Sequence, residues 1–186
     1  MKIAMAEEHG GDVLTGAPEG RRLLGKIIGK LTHEPAEPET VFLDFTGVRA
    51  ATASFLRESV IGARTFLRAR RSNWYVIVAN PNDDVTEELA FVLDAGSDAL
   101  LICHCDGKNL KSVEPIGRLE PMQRLTFDAV LARGETTASE LHEAHPDQKV
   151  EITAWNNRLS SLVGRGLLAE TSRGRVKRYR PVLTEV

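Results

Sequence analysis

Three short runs, Thr40–Phe45, Trp74–Ala79 and Ala99–Cys103, carry apolar residues at adjacent positions instead of alternating them with polar ones. Such runs have no polar face, so they predict strands covered on both sides. Between them the period changes. Leu23, Leu24, Ile27, Ile28 and Leu31 recur at three- and four-residue steps, and Phe55, Leu56, Val60, Ala63 and Leu67 do the same. Glu88, Leu89, Val92 and Leu93 follow Asp83 and Asp84, two acids suited to the positive end of a helix dipole. This β-α-β-α-β alternation predicts an α/β layer with helices packed on a mixed or parallel sheet, with Met1–Met5 as an additional edge strand.

The pattern changes after Asp106. Gly107, Lys108 and Asn109, then Lys111 to Gly117, are polar and marked by Gly and Pro, which predicts a linker over 107–119. Pro121 suits the first turn of a helix carrying Met122, Leu125, Phe127, Val130 and Leu131 as far as Arg133 and Gly134. Thr137-Ala-Ser-Glu140 has the spacing of a capping box, and the helix it opens must stop by Pro146. Trp155, Leu159, Leu162 and Val163 form one apolar stripe of a third helix, ended near Gly164 to Gly166. Leu167–Thr171 and Arg175–Val182 flank Ser172-Arg173-Gly174, the spacing of a β-hairpin. The expected plan is an α/β domain over 1–106, the linker, and a small α+β domain over 120–186.

Composition narrows the class. Of 186 residues 42% are hydrophobic and 27% charged, which is globular material. No apolar run approaches the length of a membrane span, and the start lacks the apolar core of a secretory signal, so the expectation is a cytoplasmic protein with no membrane partner. Cys103 and Cys105 are too few for a disulfide framework and read as reduced thiols on a strand.

The net charge of −2 conceals an asymmetry. Residues 1–117 hold 13 Lys and Arg against 17 Asp and Glu, net −4, whereas 118–186 hold 11 against 9, net +2. Within Ala154–Arg180 seven basic residues stand against Glu170 alone, net +6. If the third helix buries its stripe, then Ala154, Asn156, Asn157, Ser160 and Ser161 lie off it, uncharged and short, with Arg158 at the edge. A solvated face usually carries Glu and Lys. Asn pairs bidentately with adenine and Ser contacts bases or phosphates, so this face points to DNA as the partner. Arg173, Arg175 and Lys177 on the hairpin would then meet phosphates. The alternative is a protein-interaction module whose Arg-rich hairpin is a guarded sheet edge.

Other chemistry has weaker support. Cys103-His104-Cys105 on a strand sends His104 to the opposite face from the thiols, so no metal site is expected. His142 and His145 have no third ligand spaced nearby. No phosphate loop follows Gly10-Gly11 and no Gly-x-Ser-x-Gly occurs, so neither a cofactor nor an enzymatic activity is expected.

The segment Trp155-Asn-Asn-Arg-Leu-Ser-Ser-Leu-Val-Gly-Arg-Gly-Leu-Leu168, with Arg173-Gly-Arg-Val-Lys-Arg-Tyr-Arg180, resembles the recognition helix and wing of MarR-type winged helix-turn-helix regulators. The resemblance covers about 122–182. It implies that Thr153, Ala154, Asn156, Asn157 and Ser160 face the major groove while the hairpin arginines meet the backbone. Trp155 is bulkier than the small aliphatic usual at its position.

Val41-Phe-Leu-Asp-Phe-Thr-Gly-Val48 and Ala51-Thr-Ala-Ser-Phe-Leu56 resemble the STAS-like fold of anti-sigma-factor antagonists, and more closely a STAS-like family of undefined function, over about 15–105. In antagonists a phosphorylatable serine follows this strand, and Ser54 falls near that place as a candidate regulatory residue. The usual Asp-Ser-Ser-Gly is replaced by Thr52-Ala53-Ser54-Phe55, and an N-cap role accounts for Ser54 as well. Asp44 either orients that loop or caps the Thr46-Gly47 turn. The combined expectation is a two-domain signalling protein: a DNA-binding transcription regulator, active as a homodimer, whose first domain senses a protein partner or signal. The alternative is an interaction module of an anti-sigma-type pathway.

Overall fold

The computed structural model describes residues 1–106, 109–174 and 176–183. The chain has a mixed α/β fold and divides into two compact units, one over Met1–Arg118 and one over Leu119–Thr184.

The first unit is built on a five-stranded sheet of order β1 (Lys2–Ala4), β3 (Glu39–Asp44), β5 (Trp74–Ala79), β6 (Ala99–Asp106) and β7 (Asn109–Gly117). The first four are mutually parallel, and β7 returns antiparallel to β6. Every residue of β5 is buried, the burial that an unbroken apolar run in a central strand requires. A second, two-stranded sheet pairs β2 (Val13–Leu14) with β4 (Ala50–Ala51).

Helices α1 (Met5–His9), α2 (Ala17–Lys30), α3 (Ala53–Leu56), α4 (Gly62–Ala69) and α5 (Asp83–Ala95) complete this unit, and a π-helical turn, Arg57–Ile61, joins α3 to α4. In that turn the buried Ser59 hydroxyl donates to the Phe55 carbonyl 2.8 Å away. Leu23, Ile27, Phe55, Val60, Val85, Leu89 and Leu93 pack with strand residues Val41, Leu43, Val76 and Val78 in one core. Gly20 lets α2 approach α3 closely: a Cβ there would lie 2.7 Å from the Phe55 carbonyl oxygen.

The expected linker over 107–119 is corrected by β7. Leu110 to Gly117 are strand residues paired with β6, at the edge of the sheet. An edge strand buries one neighbour only, so polar Lys111, Ser112 and Glu114 and the ladder-breaking Pro115 are tolerated there.

The second unit consists of α6 (Pro121–Arg133), α7 (Ala138–Ala144), a 3₁₀ turn (Pro146–Gln148), α8 (Ile152–Gly164) and the antiparallel pair β8 (Leu168–Arg173) and β9 (Val176–Pro181). Helices α6 and α7 both pack on α8. Trp155, Leu159 and Leu162 are fully buried with Phe127, Val130, Leu141, Leu167, Leu168 and Tyr179. Thr136 and Tyr179 exchange backbone hydrogen bonds of 2.9 and 2.8 Å, tying the chain before α7 to β9. Among the described residues no helix is long and apolar enough to cross a membrane.

Candidate nucleic-acid interface

Helix α8 has two chemically distinct sides. One turn of α-helix advances about 100° per residue, so Thr153, Asn157 and Ser160 project almost opposite Trp155, Leu159 and Leu162. The structure leaves all three exposed and Asn156 half-buried beside them. Ala154, Arg158 and Ser161 lie on the other flank, each half-buried. Ser161 accepts a hydrogen bond of 3.1 Å from Gln123 Nε2, which ties it to α6 and takes it out of the open face.

Arg158 does not reach outward from the edge of this face. Its guanidinium carbon lies 5.3 Å from the centroid of the Trp155 ring, and its Nη1 is buried without a hydrogen-bond partner among the described residues. Trp155 also meets the His145 ring, 5.5 Å between centroids. The Trp155 ring thus packs with both a histidine closing α7 and an arginine of its own helix.

The hairpin and α8 share a groove. Its volume is about 600 Å³, and Thr137, Ser139, Asn156, Ser160, Lys177 and Tyr179 are among its walls. The structure therefore brings Asn156, Ser160 and Lys177 together, while Thr153 and Asn157 project from the exposed side of α8. Arg173 closes β8, and Arg175 lies outside the described residues. The Lys177 ammonium is 2.9 Å from Glu170 Oε1, and Arg178 Nη1 is 3.0 Å from Glu135 Oε2. Burial and the Glu170 charge raise the pKa of Tyr179, so its phenol stays neutral.

Thr137 and Ser139 were not among the expected site residues, although a signal existed in the capping box. Thr137 Oγ1 accepts from the Glu140 amide at 3.2 Å, and Glu140 Oε2 accepts from the Thr137 amide at 2.8 Å. That reciprocal pair fixes the first turn of α7 against the groove and holds Glu140 below the ordinary carboxylate pKa.

In the first unit, Asp44 is buried at the end of β3 and gathers polar partners. Its Oδ1 accepts from Thr46 Oγ1 at 2.9 Å and from Asn80 Nδ2 at 2.8 Å, and its Oδ2 lies 2.7 Å from Lys2 Nζ. Of the two alternatives for Asp44, the contacts support the cap of the Thr46-Gly47 turn: the Thr46 amide and hydroxyl both donate to its Oδ1. Ser54 is half-buried inside α3, and the N-cap position belongs to Thr52, so the N-cap alternative for Ser54 is corrected. The two hydroxyls are 3.3 Å apart, and Thr52 Oγ1 also accepts from the Gly16 amide.

A second groove, of about 650 Å³, is lined by Val13, Thr15, Thr52, Asp84, Glu87, Glu88 and Phe91. Phe91 is 69% exposed, off the apolar stripe of α5 formed by Val85, Leu89 and Leu93. That mismatch between a large aromatic and a polar helix face was the signal in the sequence. No group of three or more His, Cys, Asp or Glu able to hold a metal is gathered among the described residues. A scan of protein-family models finds no match to the chain, and a search of curated proteins finds none either.

Proposed function

We propose that the chain is a two-domain, cytoplasmic transcription regulator in which a STAS-like α/β unit controls a winged helix-turn-helix that reads DNA. The observation that carries the reading is the uncharged face of α8, with Thr153, Asn157 and Ser160 exposed and Asn156 beside Lys177 in one groove. Short polar side chains without their own charges are suited to base edges, where hydrogen bonds specify sequence. The order α6, α7, α8, hairpin supports α8 as recognition helix and β8–β9 as wing. The net +6 of Ala154–Arg180 supports phosphate contact by Arg173, Arg175 and Lys177. Arg158 acts differently on this reading: packed on Trp155, it sets the angle of the helix and leaves the bases to Thr153, Ala154, Asn156, Asn157 and Ser160. A homodimer on a palindromic site follows from the few base pairs that one such unit spans.

On this reading the first unit is the sensing domain. Its groove, with exposed Phe91 beside Asp84, Glu87 and Glu88, supports docking of a protein partner there, and Ser54 remains the candidate for regulatory phosphorylation. The same groove favours the second reading, an interaction module of an anti-sigma-type pathway in which the winged helix also contacts protein.

Binding of the purified chain to mixed genomic fragments across a salt series separates the two. DNA binding that weakens linearly in log–log salt, and weakens further in the Arg173→Ala, Arg175→Ala double variant, supports the regulator. No binding even at low salt rejects it in favour of the interaction module.

A further inference from the structure

Cys103 and Cys105 stand on one face of β6 with their sulfurs 3.7 Å apart. Residues two apart on a strand have Cα atoms about 6.6 Å apart, at the upper end of the span a disulfide bridges. A modest tightening of the strand therefore closes the gap. The ladder beside the pair is already irregular: its register shifts between Cys103 and His104, where Ser112 of the facing strand adopts φ 37°.

The two thiols differ in access. Cys103 is buried, and burial together with its contact to Cys105 pushes its pKa up to about 12, so it holds its proton at neutral pH. Cys105 is partly exposed, so a reagent arriving from solvent meets it first.

We infer that Cys103 and Cys105 form a reversible dithiol–disulfide site oxidised by hydrogen peroxide or an organic hydroperoxide. Cys105, as thiolate, attacks one peroxide oxygen; the O–O bond breaks, the departing oxygen takes up a proton as water or alcohol, and Cys105 becomes a sulfenic acid. Cys103 then attacks that sulfur. The S–S bond forms, the S–O bond breaks, and the hydroxyl leaves with the Cys103 proton as water. Two thiols and one hydrogen peroxide give one disulfide and two waters, a two-electron oxidation of the sulfurs matched by reduction of the peroxide. An i, i+2 bridge on a strand is strained, and strained disulfides are the ones that cellular thiols reduce readily.

Asn80 carries the change into the fold. Its amide donates to the Cys103 carbonyl at 2.8 Å, its Oδ1 accepts from the Cys105 amide at 2.7 Å, and its Nδ2 donates to Asp44. With Asn80 held at φ 52°, tightening of the segment 103–105 pulls directly on the Asp44–Thr46–Lys2 cluster.

The test treats the reduced full-length chain with stoichiometric hydrogen peroxide, blocks remaining thiols with N-ethylmaleimide, and reads intact and peptide masses beside a non-reducing gel. The expected product is a monomer whose 103–105 peptide has lost two hydrogens and takes up no maleimide, with both thiols recovered after dithiothreitol. Dimedone should trap a sulfenic acid at Cys105 in Cys103→Ser, and Cys103 should stay unoxidised on that timescale in Cys105→Ser. Both thiols remaining open to maleimide, conversion of wild-type Cys105 to a sulfinic acid, or cross-linking between chains would each overturn the inference, and these wild-type readouts need no variant to fold.

Discussion

Lys177 and Glu170 meet diagonally across the β8–β9 pair, ammonium to carboxylate at 2.9 Å, although the ladder sets Lys177 opposite Ser172 and Glu170 opposite Tyr179. The cation proposed to grip a phosphate is thus held by a carboxylate of its own hairpin until DNA competes for it. Glu170→Gln keeps the shape and removes the competitor. DNA affinity should rise by up to about fivefold, the ceiling for an exposed pair worth 0.2–1 kcal/mol. The dependence on salt should steepen as Lys177 engages phosphate more fully. Fluorescence anisotropy over a salt series reads both, and an unchanged affinity and slope would exclude Lys177 from the interface.

Asn157 and Trp155 sit on opposite sides of α8, one exposed and one with no exposed surface, and their alanine variants should separate reading from folding. Asn157→Ala should leave the unfolding midpoint within about 0.5 kcal/mol of wild type, as exposed substitutions do. Discrimination of a selected site over random DNA should fall by about 1–3 kcal/mol, the worth of one bidentate base contact. Trp155→Ala should cost about 3–5 kcal/mol of stability through the cavity it leaves. Urea titration and competitive binding on both variants check this. Equal losses in both assays for Asn157→Ala would make it a structural residue.

What could be read from residues alone follows the strength of the burial signal. Trp74–Ala79 is covered on both faces, so its apolar run is unbroken and its strand appears at the expected residues. The stripe Trp155, Leu159, Leu162 faces one core and is as plain. The strand β7 was illegible because an edge strand needs little apolar content, and its Pro115 and Gly117 look like loop punctuation. The inward turn of Arg158 was hidden for another reason. Helical geometry places a Cα, whereas the direction of a long side chain depends on the ring it finds, here Trp155. The Asp44–Asn80–Lys2 cluster joins three separate strands or strand ends, and no local pattern announces a contact made that far along the chain.

Asp44 should make the first unit sensitive to acid. Burial disfavours its charged form, but hydrogen bonds from Lys2, Asn80 and Thr46 outweigh that cost and hold its pKa below the ordinary value. The unfolded carboxyl titrates near 3.9, so the stabilisation is complete above about pH 5 and fades as pH falls through the lower folded value. Asp44→Asn should cost about 1.5–3 kcal/mol at pH 7, the worth of hydrogen bonds to a charged group. The gap to wild type should narrow at pH 3. Urea unfolding at the two pH values measures it, and a gap independent of pH would mean that the charge of Asp44 contributes nothing.

Glycine substitutions should have opposite signs at two positions of the first unit. Gly117, the last residue of β7, has φ 83°, and a Cβ there would strike the Asp98 carbonyl oxygen and lie 2.7 Å from Leu93 Cβ. Neither neighbour gives way easily: one is backbone, and the other is a fully packed core residue of α5. Gly117→Ala should therefore lose about 1–3 kcal/mol, combining left-handed strain with the clash. Gly25 lies in the middle of α2, is exposed, and has nothing within 4 Å of a Cβ position. Gly25→Ala should gain up to about 1 kcal/mol from helix propensity alone. Both are read from the shift in urea midpoint at constant slope. A Gly117→Ala variant as stable as wild type would mean that 109–117 does not hold its place beside β6, because only a strand fixed there brings Gly117 against Asp98 and Leu93.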